Sequence, residues 1–293
     1  MQGRIIKGIA GFYYVAAGES GVYSCKAKGI FRRLGIKPLP GDLVEMEVTH
    51  EGDKEGNITR ILPRKNALIR PAAANIDQAV VIFACAQPEP NLGLLDRFLV
   101  SMEYQRVPCL VCFNKSDLAV ADQVQGLRAL YEGAHYPVVP VSAADGSGLD
   151  DLRNALCGKL SAVAGPSGVG KSSLINLLVP EAHMETGVLS AKIDRGRHTT
   201  RHSELLQIDE DTWIMDTPGF TSLYLPQEME QEQVGACFPE FRPYLDACRF
   251  ARCSHIAERE CGVKDALAAG EIAQGRYEHY VEIYQEVKDS RKY

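Results

Sequence analysis

An apolar strand running straight into Gly165-Pro166-Ser167-Gly168-Val169-Gly170-Lys171-Ser172, with Ser173 continuing into a helical pattern, leaves this chain few folds to choose from. The spacing GxxxxGK[ST] lets successive backbone N–H groups turn inward around phosphate oxygens, while the helix N-terminus adds positive potential. Lys171 is placed to reach the outer phosphates, and the Ser172 hydroxyl to ligate magnesium. Such a loop needs a strand before it and a helix after it, and residues 160–164 and 171–178 read as that pair. An α/β domain around a parallel sheet is the expectation.

The surrounding sequence agrees. Apolar runs at residues 79–86, 108–113 and 138–141 alternate with helical patterns at 94–104, 118–131 and 149–156, which predicts a sheet covered on both faces. Residues 203–208 and 212–215 predict a strand pair turning at Asp209-Glu210-Asp211. Three further motifs fall at strand ends. Asn114-Lys115-Ser116-Asp117 follows one strand, and a carboxylate at Asp117 can accept from the N1–H and exocyclic amine of guanine, donors that adenine does not present together. Asn114 would face the O6/N7 side of the base. Pro140-Val141-Ser142-Ala143 follows the next strand and offers a small-residue turn, Ser142 and Ala143, whose backbone can approach the base. Asp216-Thr217-Pro218-Gly219 can hold a magnesium-bound water through Asp216 and present the Gly219 N–H to a γ-phosphate. Together the motifs define a guanine-nucleotide site at the carboxyl ends of successive strands.

Two other regions flank this domain. The first 65 or so residues read as short glycine-punctuated strands, which a small antiparallel barrel of OB-like or SH3-like type would bury without leaving edges. Residues 1–70 carry 12 Lys and Arg against 7 Asp and Glu, so with a chain total of −6 the rest of the chain is acidic. Lys26, Lys28, Arg32, Arg33 and Lys37 cluster there around Tyr23 and Phe31, a composition suited to RNA. At the other end, Cys248-x4-Cys253-x-His255-x5-Cys261 gathers three thiols and an imidazole, the donor set of a closed structural zinc site. Cys237 lies upstream and reads as a buried thiol. The final helix, with Tyr277, Tyr280, Ile283, Tyr284 and Val287 at helical spacing, reads as packed against the body.

Nine cysteines without a paired framework argue against a secreted scaffold, and the longest apolar run has eight residues where a bilayer span needs about 20. No secretory h-region opens the chain, so a cytoplasmic protein is expected. With 293 residues, 45% apolar and 24% charged, several domains are expected: 1–68 an OB-fold-like barrel, 69–226 the nucleotide domain, 227–293 a helical zinc-binding domain.

Order carries further information. In the Ras-like translational GTPases the phosphate loop precedes NKxD, whereas here Asn114 to Asp117 and Ser142-Ala143 come first, so the domain is circularly permuted. With a basic barrel before it and a Cys/His segment behind it, the chain closely resembles, over essentially its full length, the ribosome small-subunit-dependent GTPase A family (RsgA, also called YjeQ or YloQ). The resemblance implies a GTPase acting in late maturation of the 30S subunit, binding 16S rRNA and stimulated by the subunit. Two rivals stand beside it: a GTP-gated RNA-binding module with little hydrolysis, and a GTPase acting on a non-ribosomal partner.

The stretch from Arg195 to Arg201 reads as the second switch, with Thr200 completing the magnesium shell and Thr199 as the alternative. Phe220 follows the DxxG element where Ras-like enzymes place a water-orienting glutamine, so intrinsic hydrolysis should be slow. His198 is the candidate to orient the attacking water, and the resemblance also points to a switch histidine. Because permutation puts the switches at the end of the nucleotide domain, nucleotide state is expected to move the C-terminal segment. The chain is expected to work as a monomer.

Overall fold

The computed structural model of the chain describes residues 1–68, 72–182, 204–216 and 225–290. Its elements begin with β1 (Gln2–Ile9), β2 (Phe12–Ala16), β3 (Val22–Ala27), α1 (Ile30–Arg33), β4 (Leu43–His50) and β5 (Glu55–Ile61), followed by the short strands β6 (Ala67–Leu68) and β7 (Ala73–Ala74). Next come β8 (Gln78–Ala84), α2 (Leu92–Tyr104), β9 (Cys109–Asn114), α3 (Ala121–Gly133), β10 (Val138–Pro140), α4 (Leu149–Leu156), β11 (Leu160–Ala164), α5 (Lys171–Leu178), β12 (Glu204–Gln207) and β13 (Trp213–Asp216). The chain ends in α6 (Gln231–Val234), a run of 3₁₀ turns, α7 (Gly262–Ala268) and α8 (Gln274–Ser290). Two compact units result: one from Met1–Ala79, Arg153–Ala164 and Lys171–Phe220, the other from Val80–Leu152, Gly165–Gly170 and Thr221–Tyr293.

In the first unit the five opening strands close into a barrel in the order β1-β2-β3-β5-β4, with β3 parallel to β5. That order is OB-like, which settles the choice against an SH3-like barrel. Period-2 alternation explains the core: Ile5, Val15, Tyr23, Cys25, Val44, Met46 and Ile58 point inward, and Phe31 from α1 joins them. Asp42, in the turn that the sequence signals as Pro40-Gly41-Asp42, is fully buried, accepting from the Leu39 N–H at 2.8 Å and from Arg64 at 2.7 and 2.8 Å.

The same unit holds the strands β11-β13-β12, β11 and β13 parallel and β12 antiparallel to β13. Asp209 shapes the turn between the last two by accepting the Thr212 N–H at 2.9 Å. The second unit holds β10 and β9, paired in parallel, with β8 on the other side of β9. Every residue of β8 and β9 is buried, the pattern of strands covered on both faces. The C-terminal core stacks Phe238 on Phe241 at 5.2 Å, with Tyr280 edge-on to both. Tyr280, Ile283 and Val287 are buried, so α8 packs inward as its periodicity predicts. Among the described residues no helix is long and apolar enough to cross a membrane.

Candidate functional site

In the second unit, Asn114 sits at the end of β9 and is 1% exposed. Its amide donates to the Val169 carbonyl of the glycine-rich loop at 2.7 Å and its oxygen accepts the Ala143 N–H at 3.1 Å. One side chain therefore pins the phosphate loop and the Ser142-Ala143 turn together, a bracing role that the sequence reading, which aimed it at the base, did not include. Lys115 adopts a left-handed backbone, φ 60°, and its ammonium donates to the Gly168 carbonyl at 2.7 Å and to the Gln87 carbonyl. Asp117 is exposed, and the Ser142 hydroxyl donates to one of its oxygens at 2.6 Å. Ser142 in turn accepts the Ala144 and Asp145 N–H groups at 3.2 and 3.3 Å, which fixes its rotamer. The carboxylate is thus oriented without being covered.

The loop's glycines are dictated by geometry. At Gly165 φ is 144° and a Cβ would stand 2.1 Å from the Ile82 carbonyl; at Gly170 φ is 87° and a Cβ would stand 2.4 Å from the Asn114 amide. No other residue fits either position. Ser167 and Gly168 are exposed at the loop's crest, Pro166 is half-buried and Val169 is buried.

In the first unit, Lys171, Ser172 and Ser173 open α5, each half-buried. Burial pulls the Lys171 ammonium below its ordinary pKa, and attraction from Asp216 at the end of β13 works against that pull. A lysine held among few solvent partners beside a carboxylate suits a polyphosphate with a divalent cation. His198, Thr199, Thr200, Gly219 and Phe220 lie outside the described residues.

The Cys/His set converges. Ligand atoms of Cys248, Cys253, His255 and Cys261 all lie within 4.8 Å of one another, with Cys248 Sγ 3.5 Å from His255 Nδ1 and 3.9 Å from Cys261 Sγ, and His255 Nδ1 3.4 Å from Cys261 Sγ. A tetrahedron of about 2.3 Å zinc–sulfur bonds has edges of about 3.8 Å, so the donor set fits zinc through Nδ1 with no open position. His255 reaches this place with φ 55°. Tyr277 and Tyr280 hold the ligand loop by donating to the His255 and Ser254 carbonyls at 2.7 and 2.6 Å. Glu258 caps the same loop: burial works the other way, yet bonds from Ser254 and Ile256 bring its carboxyl down to about 2. Cys237 is buried, its thiol pushed up to about 12 mainly by burial.

On the barrel, Lys26, Lys28, Arg33 and Lys37 are exposed, and the side chain of Arg32 lies outside the described residues. Lys28 pairs with Glu47 at 2.8 Å, and Lys26 stands 5.2 Å over the ring of Phe12. Tyr23 and Phe31, expected to interleave with these cations, instead fill the barrel core, 0% and 7% exposed. Strand alternation sends Tyr23 inward and leaves Phe12, opposite Lys26 in register, as the outward aromatic.

A base-reading motif braced against a phosphate loop that follows it in the chain defines a circularly permuted P-loop GTPase. Family descriptions match the chain as "RsgA N-terminal domain" over residues 2–58 and "RsgA GTPase" over residues 61–226. The chain is 53% identical to the small ribosomal subunit biogenesis GTPase RsgA of Agathobacter rectalis, covering 100% of both chains, and 47% identical to the protein of that name from Alkaliphilus metalliredigens, covering 100% of this chain and 99% of the other. Among solved structures it is similar to YloQ, described as a circularly permuted GTPase (TM-score 0.81, 38% identity, 99% of this chain and 96% of that one). It is also similar to YjeQ from Thermotoga maritima (TM-score 0.84, 36% identity, 98% of each chain). The chain belongs to the RsgA GTPase family.

Proposed function

We propose that the chain hydrolyses GTP in a cycle tied to late maturation of the small (30S) ribosomal subunit, as a cytoplasmic monomer that binds 16S rRNA and is stimulated by the subunit. The observation that carries the reading is Asn114, whose amide bridges the glycine-rich loop and the Ser142-Ala143 turn and so joins base and phosphate recognition in the reversed motif order. The division into residues 1–68, 69–226 and 227–293 assigns rRNA contact to the barrel, chemistry to the middle and a zinc-held fold to the end.

Asp117, oriented by Ser142, accepts the two guanine donors, and Lys115 flanks the base. Backbone N–H groups from Gly165 to Ser173 and the Lys171 ammonium hold the phosphates. Magnesium would be held by Ser172 and Thr200 with Asp216 nearby, and would supply positive charge against the phosphates. The Gly219 N–H meets the γ-phosphate. Phe220 cannot orient water, so His198 does, once the subunit completes the site; a timer then fires on its target and is slow elsewhere. Lys26, Lys28, Arg32, Arg33 and Lys37 meet rRNA phosphates. Cys248, Cys253, His255 and Cys261 hold one structural zinc.

The test is GTP hydrolysis with and without purified small subunits, for the wild type and His198→Ala. Stimulation that the substitution abolishes is the expected result. Unchanged turnover on adding subunits, or no co-sedimentation with them, removes the ribosomal cycle.

A further inference from the structure

The base-reading loop is fastened at both ends to one residue that belongs to none of the nucleotide motifs. Cys85 follows directly on β8 and is buried. Its N–H donates at 2.7 Å to the carbonyl of Asn114, where the loop begins. Its own carbonyl accepts at 2.9 Å from the side-chain amide of Gln123, the third residue of α3, where the loop ends. Lys115 and Asp117 lie between these two fastenings. Two residues beyond Cys85 the chain turns left-handed at Gln87, φ 49°, and the Gln87 carbonyl accepts from the Lys115 ammonium. Lys115 is itself left-handed, and reaches on to the Gly168 carbonyl at 2.7 Å. Residues other than glycine hold such a backbone only where their surroundings fix it.

We infer that Gln123 is a positioning residue for guanine recognition: by holding the Cys85 carbonyl, it keeps the strand extension Cys85-Ala86-Gln87 and the exit of the base-reading loop in the arrangement where Lys115 meets Gln87 and Asp117 is aimed at the base. The inference rests on the reading of Asn114 to Asp117 as the base site. Entry to the loop is secured by the backbone and side chain of Asn114, and the Asp117 carboxylate by Ser142. The exit has little packing of its own, since Leu118 and Val120 are 47% and 70% exposed. Val120 also gives α3 no side-chain cap, so the helix start is not fixed that way either. Gln123 supplies the fastening at this point, and it does so on the main chain of a buried residue. Taking its donor away leaves an acceptor unmet and frees the exit beside Asp117. A loop already held in its binding geometry loses less freedom when the base arrives, and the complex gains affinity from that.

The test uses the full-length, zinc-loaded protein, with GDP and inosine diphosphate each competing against a fluorescent guanine nucleotide. Inosine diphosphate lacks the exocyclic amine and gives Asp117 one donor where GDP gives two, so the ratio of the two dissociation constants reads how well Asp117 is aimed. Gln123→Met and Gln123→Glu both remove the donor at close to the same side-chain length. Each is expected to raise the dissociation constant for GDP about 3- to 10-fold, the loss of one hydrogen bond to a buried acceptor, chiefly through faster release. Inosine diphosphate moves less, so the ratio falls. Arg128→Met, further along α3 and paired with Glu132 at 2.7 Å, leaves both constants where they are. A ratio unchanged in both Gln123 variants, or an equal loss for the two nucleotides, overturns the inference, and a collapsed ratio in Asp117→Asn then leaves the base site standing. A ratio that Asp117→Asn also leaves unchanged removes the base-site reading, and the role of Gln123 falls with it.

Discussion

Arg276 on α8 is the largest fully buried side chain among the described residues, and its removal gives the sharpest test of how the C-terminal segment is held. Its side chain is 1% exposed, donating to Asp96 of α2 at 2.5 Å and to both oxygens of Glu240 at 2.7 and 3.1 Å. The guanidinium also lies 4.7 Å over the Phe238 ring. Burial works against its charge, but the two carboxylates outweigh that and hold its pKa above the ordinary value. Arg276→Met keeps much of the volume and takes both guanidinium bonds from Glu240, 4% exposed, while Asp96, 0% exposed, keeps its bonds to Tyr131 and His279. Breaking a buried pair from one side costs about 3–5 kcal/mol, because the remaining charge is left without a partner. Amide hydrogen exchange in α2 and α8, read on the zinc-loaded protein, should therefore speed up by about 10²- to 10³-fold. Replacing that acid as well, in Arg276→Met/Glu240→Gln, removes the stranded charge and should recover at least half of the lost protection. A change below ten-fold in the single variant, or a double variant worse than the single, would refute the reasoning.

Three further outcomes follow from the same structure. The bond to Asp96 raises the His279 pKa above 6.5 despite its burial, so the protonated form stabilises the fold fully below pH 6.5 and that contribution is lost as pH rises through the folded value; urea midpoints should fall over that range in the wild type and stay flat in His279→Gln. Asp117→Asn exchanges one acceptor oxygen for a donor, so affinity should fall steeply for GTP and rise for xanthosine triphosphate, whose ring presents a carbonyl there, as read by competition with a fluorescent nucleotide. Removing zinc with a chelator, or Cys261→Ser at a site 1% exposed, should melt the segment from residue 225 onward while guanine-nucleotide binding survives, as followed by hydrogen exchange and nucleotide titration.

Much of the nucleotide domain was legible because its signals are local. β11, α4 and α5 fall where strand and helix periodicity put them, and the glycines of the loop are forced by backbone geometry that only glycine meets. The zinc ligands were legible for a similar reason, since four donors within fourteen residues have few other uses. What stayed hidden depends on long-range placement. Tyr23 and Phe31 look alike in sequence whether they face solvent or core, and barrel closure decides. The Arg276 cluster joins residues separated by 180 and 36 positions, and nothing local marks an arginine on an amphipathic helix as buried. Asn114 was found by its motif, but its bracing bonds depend on where the loop at Val169 folds back.

The fastening of the two flanking regions bears on which of them responds to nucleotide. Continuity of chain beyond residue 219 favours motion of the C-terminal segment, yet that segment is welded to α2 by the buried Arg276 cluster. The barrel is held to β12 and β13, the strands that lead to Asp216, by lighter bonds. Lys7 pairs with Glu204 at 2.8 Å with both side chains partly exposed, a contact worth about 0–1 kcal/mol. Arg4 lies 5.8 Å over the ring of Trp213, the chain's one tryptophan, which adds about 0.5–2 kcal/mol. Contacts of that size can open and close within a nucleotide cycle, whereas 3–5 kcal/mol would hold throughout it. Exchanging GDP for a non-hydrolysable GTP analogue should therefore alter hydrogen-exchange protection in β1 and β12, and the emission of Trp213, while α2 and α8 keep theirs. Arg4→Met/Lys7→Met should raise exchange in β1 and β12 in both nucleotide states and shrink the difference between them. A nucleotide-dependent change confined to α2 and α8 would show that the chain connection, and not the strength of the packing, decides which part moves.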